Sequence, residues 1–131
     1  MVHQASEMGL LTCPYAFDEE QAQAMARAGA DVIVAHAGLT TKGTIGARTA
    51  LTLDQAVALV QSIRDAAVSV NPQVLVICHG GPLAEPDDVV YALSRTRGVA
   101  GFFGASSVER LPAERAITEQ VQKFKSLTLK E

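Results

Sequence analysis

The sequence predicts an α/β fold of parallel strands joined by crossover helices, and three observations carry that prediction. Short apolar runs alternate four times with helical patterns, each run ends in small or polar residues, and no linker interrupts the series. The chain has 131 residues, of which 48% are hydrophobic, 19% charged and 5% aromatic, as expected of one compact soluble domain built without an aromatic-rich core.

The first strand is predicted over 10–13. Asp18 then caps a helix whose Glu19 and Glu20 suit the positive end of the helix dipole, whose Ala22, Met25 and Ala26 form one apolar face, and which Gly29 can end. A second strand over 31–35 is rich in β-branched residues and runs into His36-Ala37-Gly38, which places His36 at its C-terminal end. The connection 38–51 has no clear period and carries Thr40, Thr41, Lys42, Thr44 and Arg48. Connections of this length are usually functional or disordered.

Thr52-x-x-Gln55 reads as a capping box, and Leu53, Ala56, Val57, Val60, Ile63, Ala67 and Val70 repeat at three-four spacing until Asn71-Pro72 stops the helix. A third strand over 74–77 leads into Cys78-His79-Gly80-Gly81-Pro82. The next helix starts at Glu85-Pro86-Asp87-Asp88, where proline suits the first turn and the carboxylates its dipole, with Val89, Val90 and Leu93 facing inward. A fourth strand over 99–103 ends in Gly104-Ala105-Ser106-Ser107. The last helix, about 113–124, carries Ile117, Val121 and Phe124 on one stripe.

Composition also excludes several partners. The formal charge of −3 has no run of Lys or Arg behind it, so neither a nucleic-acid footprint nor a polybasic membrane patch is expected. No segment is long enough to span a bilayer. Cys13 and Cys78 lack metal-type pairing and the N-terminus lacks the regions of a secretory signal, which points to a reducing cytoplasm.

In a parallel βα fold, ligands gather at the strand C-termini. The candidates there are Cys13, Pro14 and Tyr15; His36 and Gly38; His79, Gly80 and Gly81; and Gly104, Ala105, Ser106 and Ser107, with Glu109 and Arg110 behind. Glycine lets backbone approach a ligand closely, and a Gly-Ala-Ser-Ser turn before a helix offers N–H groups and hydroxyls. Gly80, Gly81, Gly104, Ala105, Ser106 and Ser107 are therefore the candidate phosphate cradle, against the plainer reading of tight strand-to-helix turns. His36 and His79 either move protons or cap backbone at the strand ends. Two histidines without a neighbouring carboxylate make a poor zinc set, so no metal and no cofactor are expected. Cys13 and Cys78 read as small buried hydrophobes, and Glu109 with Arg110 as a possible surface pair. Lys42, Thr44 and Arg48 are candidate substrate contacts or solvated loop groups.

Five segments together resemble one family. They are Gly9-Leu10-Leu11-Thr12-Cys13-Pro14-Tyr15, Ala30-Asp31-Val32-Ile33-Val34-Ala35-His36, Gly38-Leu39-Thr40-Thr41-Lys42-Gly43-Thr44-Ile45-Gly46, His79-Gly80-Gly81-Pro82, and Gly101-Phe102-Phe103-Gly104-Ala105-Ser106-Ser107. The resemblance is to the phosphoenolpyruvate hydrolase-like TIM-barrel family, which is also similar to the C-terminal domain of plant tobamovirus-resistance proteins. It implies that the four βα units, 1–131, form one half-barrel-like domain matching the C-terminal half of a (β/α)8 barrel. It also implies hydrolysis or cleavage of a phosphoenolpyruvate-like substrate.

Half a barrel leaves two edge strands and an apolar inner face unpaired, so association into a homodimer or higher homo-oligomer is expected. Two functional readings follow. One is a hydrolase or lyase acting on a small phosphorylated or carboxylate ligand; the other is a non-catalytic module that binds a phosphometabolite or nucleotide, or a barrel fragment without independent activity.

Overall fold

The computed structural model describes residues 1–47 and 51–127. Nine elements follow in order: α1 (Val2–Glu7), β1 (Tyr15–Ala16), α2 (Glu19–Arg27), β2 (Val32–His36), α3 (Leu53–Val70), β3 (Leu75–His79), α4 (Pro86–Arg95), β4 (Gly101–Phe102) and α5 (Arg110–Lys125). The strands form one parallel sheet in the order β1-β2-β3-β4, so each crossover returns to the adjacent place, as in an arc of a barrel.

The predicted caps explain two of the helices. Asp18 accepts a hydrogen bond from the Gln21 amide at 2.7 Å, and Thr52 with Gln55 forms a reciprocal capping box. Pro86 occupies the first turn of α4.

Packing follows the two periods. Ile33 and Ala35 of β2, with Val76 and Cys78 of β3, join Ala22 and Ala26 of α2 and Val60, Ile63 and Ala67 of α3 in one core. Alanine at so many contact points lets the helices lie close on the sheet, which is how a core forms from so few aromatic residues. By strand alternation Tyr15, Val34, His36, Ile77 and His79 take the opposite, inner face.

Several boundaries differ from expectation. The first apolar run, 10–13, precedes the strand, with Leu10 and Leu11 exposed. It still belongs to the scaffold, because the buried Thr12 donates from both its amide and its hydroxyl to Asp31 Oδ2 at 2.8 Å, and accepts from the Asp31 amide at 3.0 Å. Those bonds hold the Asp31 carboxyl below the usual carboxylate range. Val90 is exposed, and Ala92 takes the buried position on α4. The last helix starts at Arg110, and its stripe of Ile117, Val121 and Phe124 lies in solvent. A six-residue α1, absent from the expected pattern, leads the chain. No described helix is long and apolar enough to cross a membrane.

Candidate functional site

His36 and His79 are the last residues of the two central strands and are direct partners in the β2–β3 register. Their ring centroids lie 4.8 Å apart. Tyr15, from edge strand β1, closes a triangle with them: its ring stacks on His79 at 5.3 Å and meets His36 edge-on at 4.9 Å. Phe17 and Phe103 flank the cluster.

Each ring is held by one nitrogen. His36 Nδ1 accepts the Gly38 N–H at 3.0 Å, and His79 Nδ1 lies 2.6 Å from the Phe103 carbonyl. Burial pushes the His36 pKa down, and the neighbouring His79 pushes it further in the same direction. The neutral ring is therefore the favoured form of His36.

Gly80 and Gly81 give the β3 exit its shape. Both adopt positive φ, and a Cβ there would stand 2.3 Å from the Gly38 carbonyl oxygen and 2.2 Å from that of Ala37 respectively. The Gly81 amide donates to Gly38 O at 2.6 Å, and the Ala37 amide donates to His79 O at 2.8 Å. The glycines thus lock the two strand exits together and set the spacing of the histidines.

A cavity of about 260 Å³ opens above these strand ends. His36 and His79 form one side, Ala105 and Ser106 with Arg110 the second, and Thr40, Ile45 and Ala47 of the long connection the third. The Gly104-Ala105-Ser106-Ser107 turn leads into α5, with carbonyls of Ala105 and Ser106 accepting the first α5-side bonds from Val108, Glu109 and Leu111. Gly80, Gly81, Gly104 and Ser107 are not part of this lining, and Ser107 lines a separate apolar hollow with Val89 and Phe102.

The connection is clamped at Lys42 and Thr44. Lys42 Nζ pairs with Asp88 Oδ2 at 2.7 Å. The Thr44 amide and hydroxyl donate to Glu114, and Arg110 donates both to Glu114 Oε1 at 2.9 Å and to the Lys42 carbonyl at 3.1 Å. Burial alone would raise the Asp88 pKa, but the Lys42 bond and the Glu85 and Ala84 amides outweigh it and leave it lowered. The Thr44 amide and then Arg110 lower Glu114 likewise. Lys42 and Thr44 are thus spent on α4 and α5, and Arg48 lies outside the described residues.

Neither cysteine is an activated nucleophile. Burial pushes the Cys78 thiol up to about 11, and its sulfur donates to the Gly101 carbonyl; Cys13, against the expectation of a buried residue, is exposed, and partial desolvation raises its thiol too. No cluster of three or more metal-ligating side chains occurs among the described residues.

Sequence reasoning missed two parts of the site. Arg110 reads as the partner of adjacent Glu109, whereas the helix spacing joins it to Glu114, four residues on. The Lys42–Asp88 clamp spans 46 residues and leaves no local signal.

The phosphoenolpyruvate hydrolase-like family matches residues 1–127. The chain belongs to that family. Among curated relatives of this phosphoenolpyruvate hydrolase-like chain, the tomato (Solanum lycopersicum) "ToMV susceptible protein tm-1(GCR26)" is 57% identical over 129 residues, 98% of this chain and 17% of its own. The tomato "ToMV resistance protein Tm-1(GCR237)" is 56% identical over the same shares. The chain therefore spans about a sixth of the length of these relatives. Among solved structures, thiamine phosphate pyrophosphorylase from Pyrococcus furiosus aligns with a TM-score of 0.55 at 22% identity, over 94% of this chain and 53% of that one. That likeness is one of fold: a TIM-barrel-type neighbour half covered by four βα units, consistent with half a barrel.

Proposed function

We propose that the cavity above β2, β3 and β4 binds a small phosphorylated or carboxylate ligand, and that the chain serves a hydrolase or lyase acting on a phosphoenolpyruvate-like substrate. The observation that carries the reading is the convergence of His36 and His79 with Ser106 and Arg110 on one cavity. The ligand's anionic end lies against Arg110, Ser106 and the Ala105–Ser107 turn, where the start of a sixteen-residue helix adds its positive dipole end. Gly80 and Gly81 support the cradle from behind, Gly104 opens the turn, and the histidines exchange protons with the ligand's reacting oxygen. Lys42 and Thr44 brace the connection whose Thr40, Ile45 and Ala47 form the outer wall. In this reading the site is a cytoplasmic one that uses no metal or cofactor.

Calorimetric titration with inorganic phosphate, phosphoenolpyruvate and nucleotides, paired with a phosphate-release assay, tests it. Wild type binds phosphoenolpyruvate and releases phosphate; His79→Ala loses release, and Ser106→Asp loses binding by placing a carboxylate at the anion position. Binding without release would leave the module reading, and unchanged behaviour of Ser106→Asp would remove the phosphate site.

A second reading rests on the sheet's ends. β1 and β4 are two-residue edge strands, and Leu75 on the inner face is 55% exposed. Pairing of two copies into a closed barrel would cover both. A well-folded monomer in sedimentation at micromolar concentration would reject it.

A further inference from the structure

The backbone bonds to the two histidines fix their tautomers, and fix them oppositely. A backbone amide can only donate, so His36 Nδ1, which accepts the Gly38 N–H at 3.0 Å, carries no proton; the neutral ring keeps its proton on Nε2. A backbone carbonyl can only accept, so His79 Nδ1, 2.6 Å from Phe103 O, carries a proton, and in the neutral ring Nε2 then keeps its lone pair. Both rings line the same cavity, with their centroids 4.8 Å apart. The groups facing them are the Tyr15, Phe17 and Phe103 rings and, across the cavity, Arg110. With each Nδ1 taken by backbone, the ring nitrogens left for a ligand are a donor, His36 Nε2–H, and an acceptor, His79 Nε2.

We infer that this pair recognises an O–H group, which accepts from His36 while donating to His79. A carboxylate or a fully ionised phosphate only accepts and would leave His79 Nε2 without a partner. An alcohol or a water molecule satisfies both nitrogens at once. The inference rests on the anion-binding reading above and adds to it the chemistry of the ligand's second contact: a phosphorylated alcohol, or a phosphorylated ligand that reaches the pair through a held water.

The chemistry of asparagine supplies a clean test. Asn at position 36 can offer its carbonyl oxygen to the Gly38 amide, and Asn at position 79 can offer its amide to Phe103 O. Each replacement keeps the backbone bond and deletes Nε2. Glycerol 3-phosphate and n-propyl phosphate, which differ in hydroxyl content, are titrated into wild type, His36→Asn and His79→Asn, with urea midpoints confirming folding. Nitrogen NMR of the wild-type rings reads the tautomers directly.

The expected result is unlike tautomers, with His36 protonated on Nε2 and His79 on Nδ1, and about tenfold weaker binding in each Asn variant, the size of one lost hydrogen bond of about 1.4 kcal/mol. A preference of wild type for glycerol 3-phosphate assigns the O–H to the ligand; equal binding of the two esters, lost in both variants, assigns it to water. Like tautomers, or Asn variants that bind both esters as wild type does, overturn the inference while leaving the anion site standing. Failure of wild type to bind either ester removes the anion site and the inference with it.

Discussion

Helices α3 and α5 are of similar length, 18 and 16 residues, and both carry apolar side chains at three-four spacing, yet they end in opposite environments. α3 buries Ala56, Val60, Ile63 and Ala67 completely or nearly so; α5 buries only Leu111 among its described residues. The difference lies in what each helix has to cover. α3 crosses from β2 to β3 and sits beside α2 and α4, so its stripe meets two five-residue strands. α5 follows a two-residue edge strand, and among the described residues no other strand pairs with that edge. An amphipathic stripe states a need for a partner; the topology decides whether that partner exists. Beyond buried Leu111, what holds α5 is polar: Arg110, Glu114 and Arg115 fasten its first two turns to the long connection and to Glu85.

The comparison is broken most severely at Ile63, which is fully buried between α3 and the sheet. Ile63→Ala is expected to cost about 2–5 kcal/mol, combining lost transfer energy with a cavity that the neighbouring alanines cannot close. Urea denaturation should show a lower midpoint at an unchanged slope. A cost below about 1 kcal/mol would mean that the α3 side is as loosely packed as the α5 side.

The α3 side was legible in the sequence because its determinants are local. Thr52 and Gln55 stand three residues apart, and the apolar period runs unbroken to Asn71-Pro72. The placement of His36 and His79 followed for the same reason: apolar runs end where parallel strands end. The rest depends on tertiary partners. Leu10 and Leu11 look like strand residues but precede the sheet, whose hydrogen bonding begins at the Thr12 carbonyl. Lys42 meets Asp88, and Thr44 meets Glu114 across 70 residues, through a fold that no local window contains. The opposite tautomers of the histidines arise from Gly38 on one side and Phe103, 24 residues away from His79, on the other.

A smaller effect sharpens the comparison from the rim. Because burial and then His79 lower the His36 pKa, the unfolded chain takes up a proton near pH 6.5 while the folded chain resists until lower pH. The contribution is fully present above the unfolded value and is lost as pH falls from about 6.5 through the folded value. Stability should therefore begin to decline there, well above the acid range in which Asp88 and Glu114, both lowered, lose theirs. His36→Asn keeps the acceptor for Gly38 and has no such titration, so its urea midpoint should be flatter between pH 6.5 and 5. An equally steep profile in the variant would assign the decline to another group.

The smallest effect is expected on α5. Ile117 is 65% exposed, so Ile117→Ser removes little buried surface, and in dilute solution its unfolding free energy from urea denaturation should change by no more than about 0.5 kcal/mol. The same substitution distinguishes a bare stripe from a covered one. If two copies bury the stripe, the loss must grow with protein concentration, because association stabilises the folded chain by mass action and the serine weakens only the associated form. A penalty that is large at every concentration would instead mean that α5 folds back onto its own sheet, and the contrast between α3 and α5 would disappear.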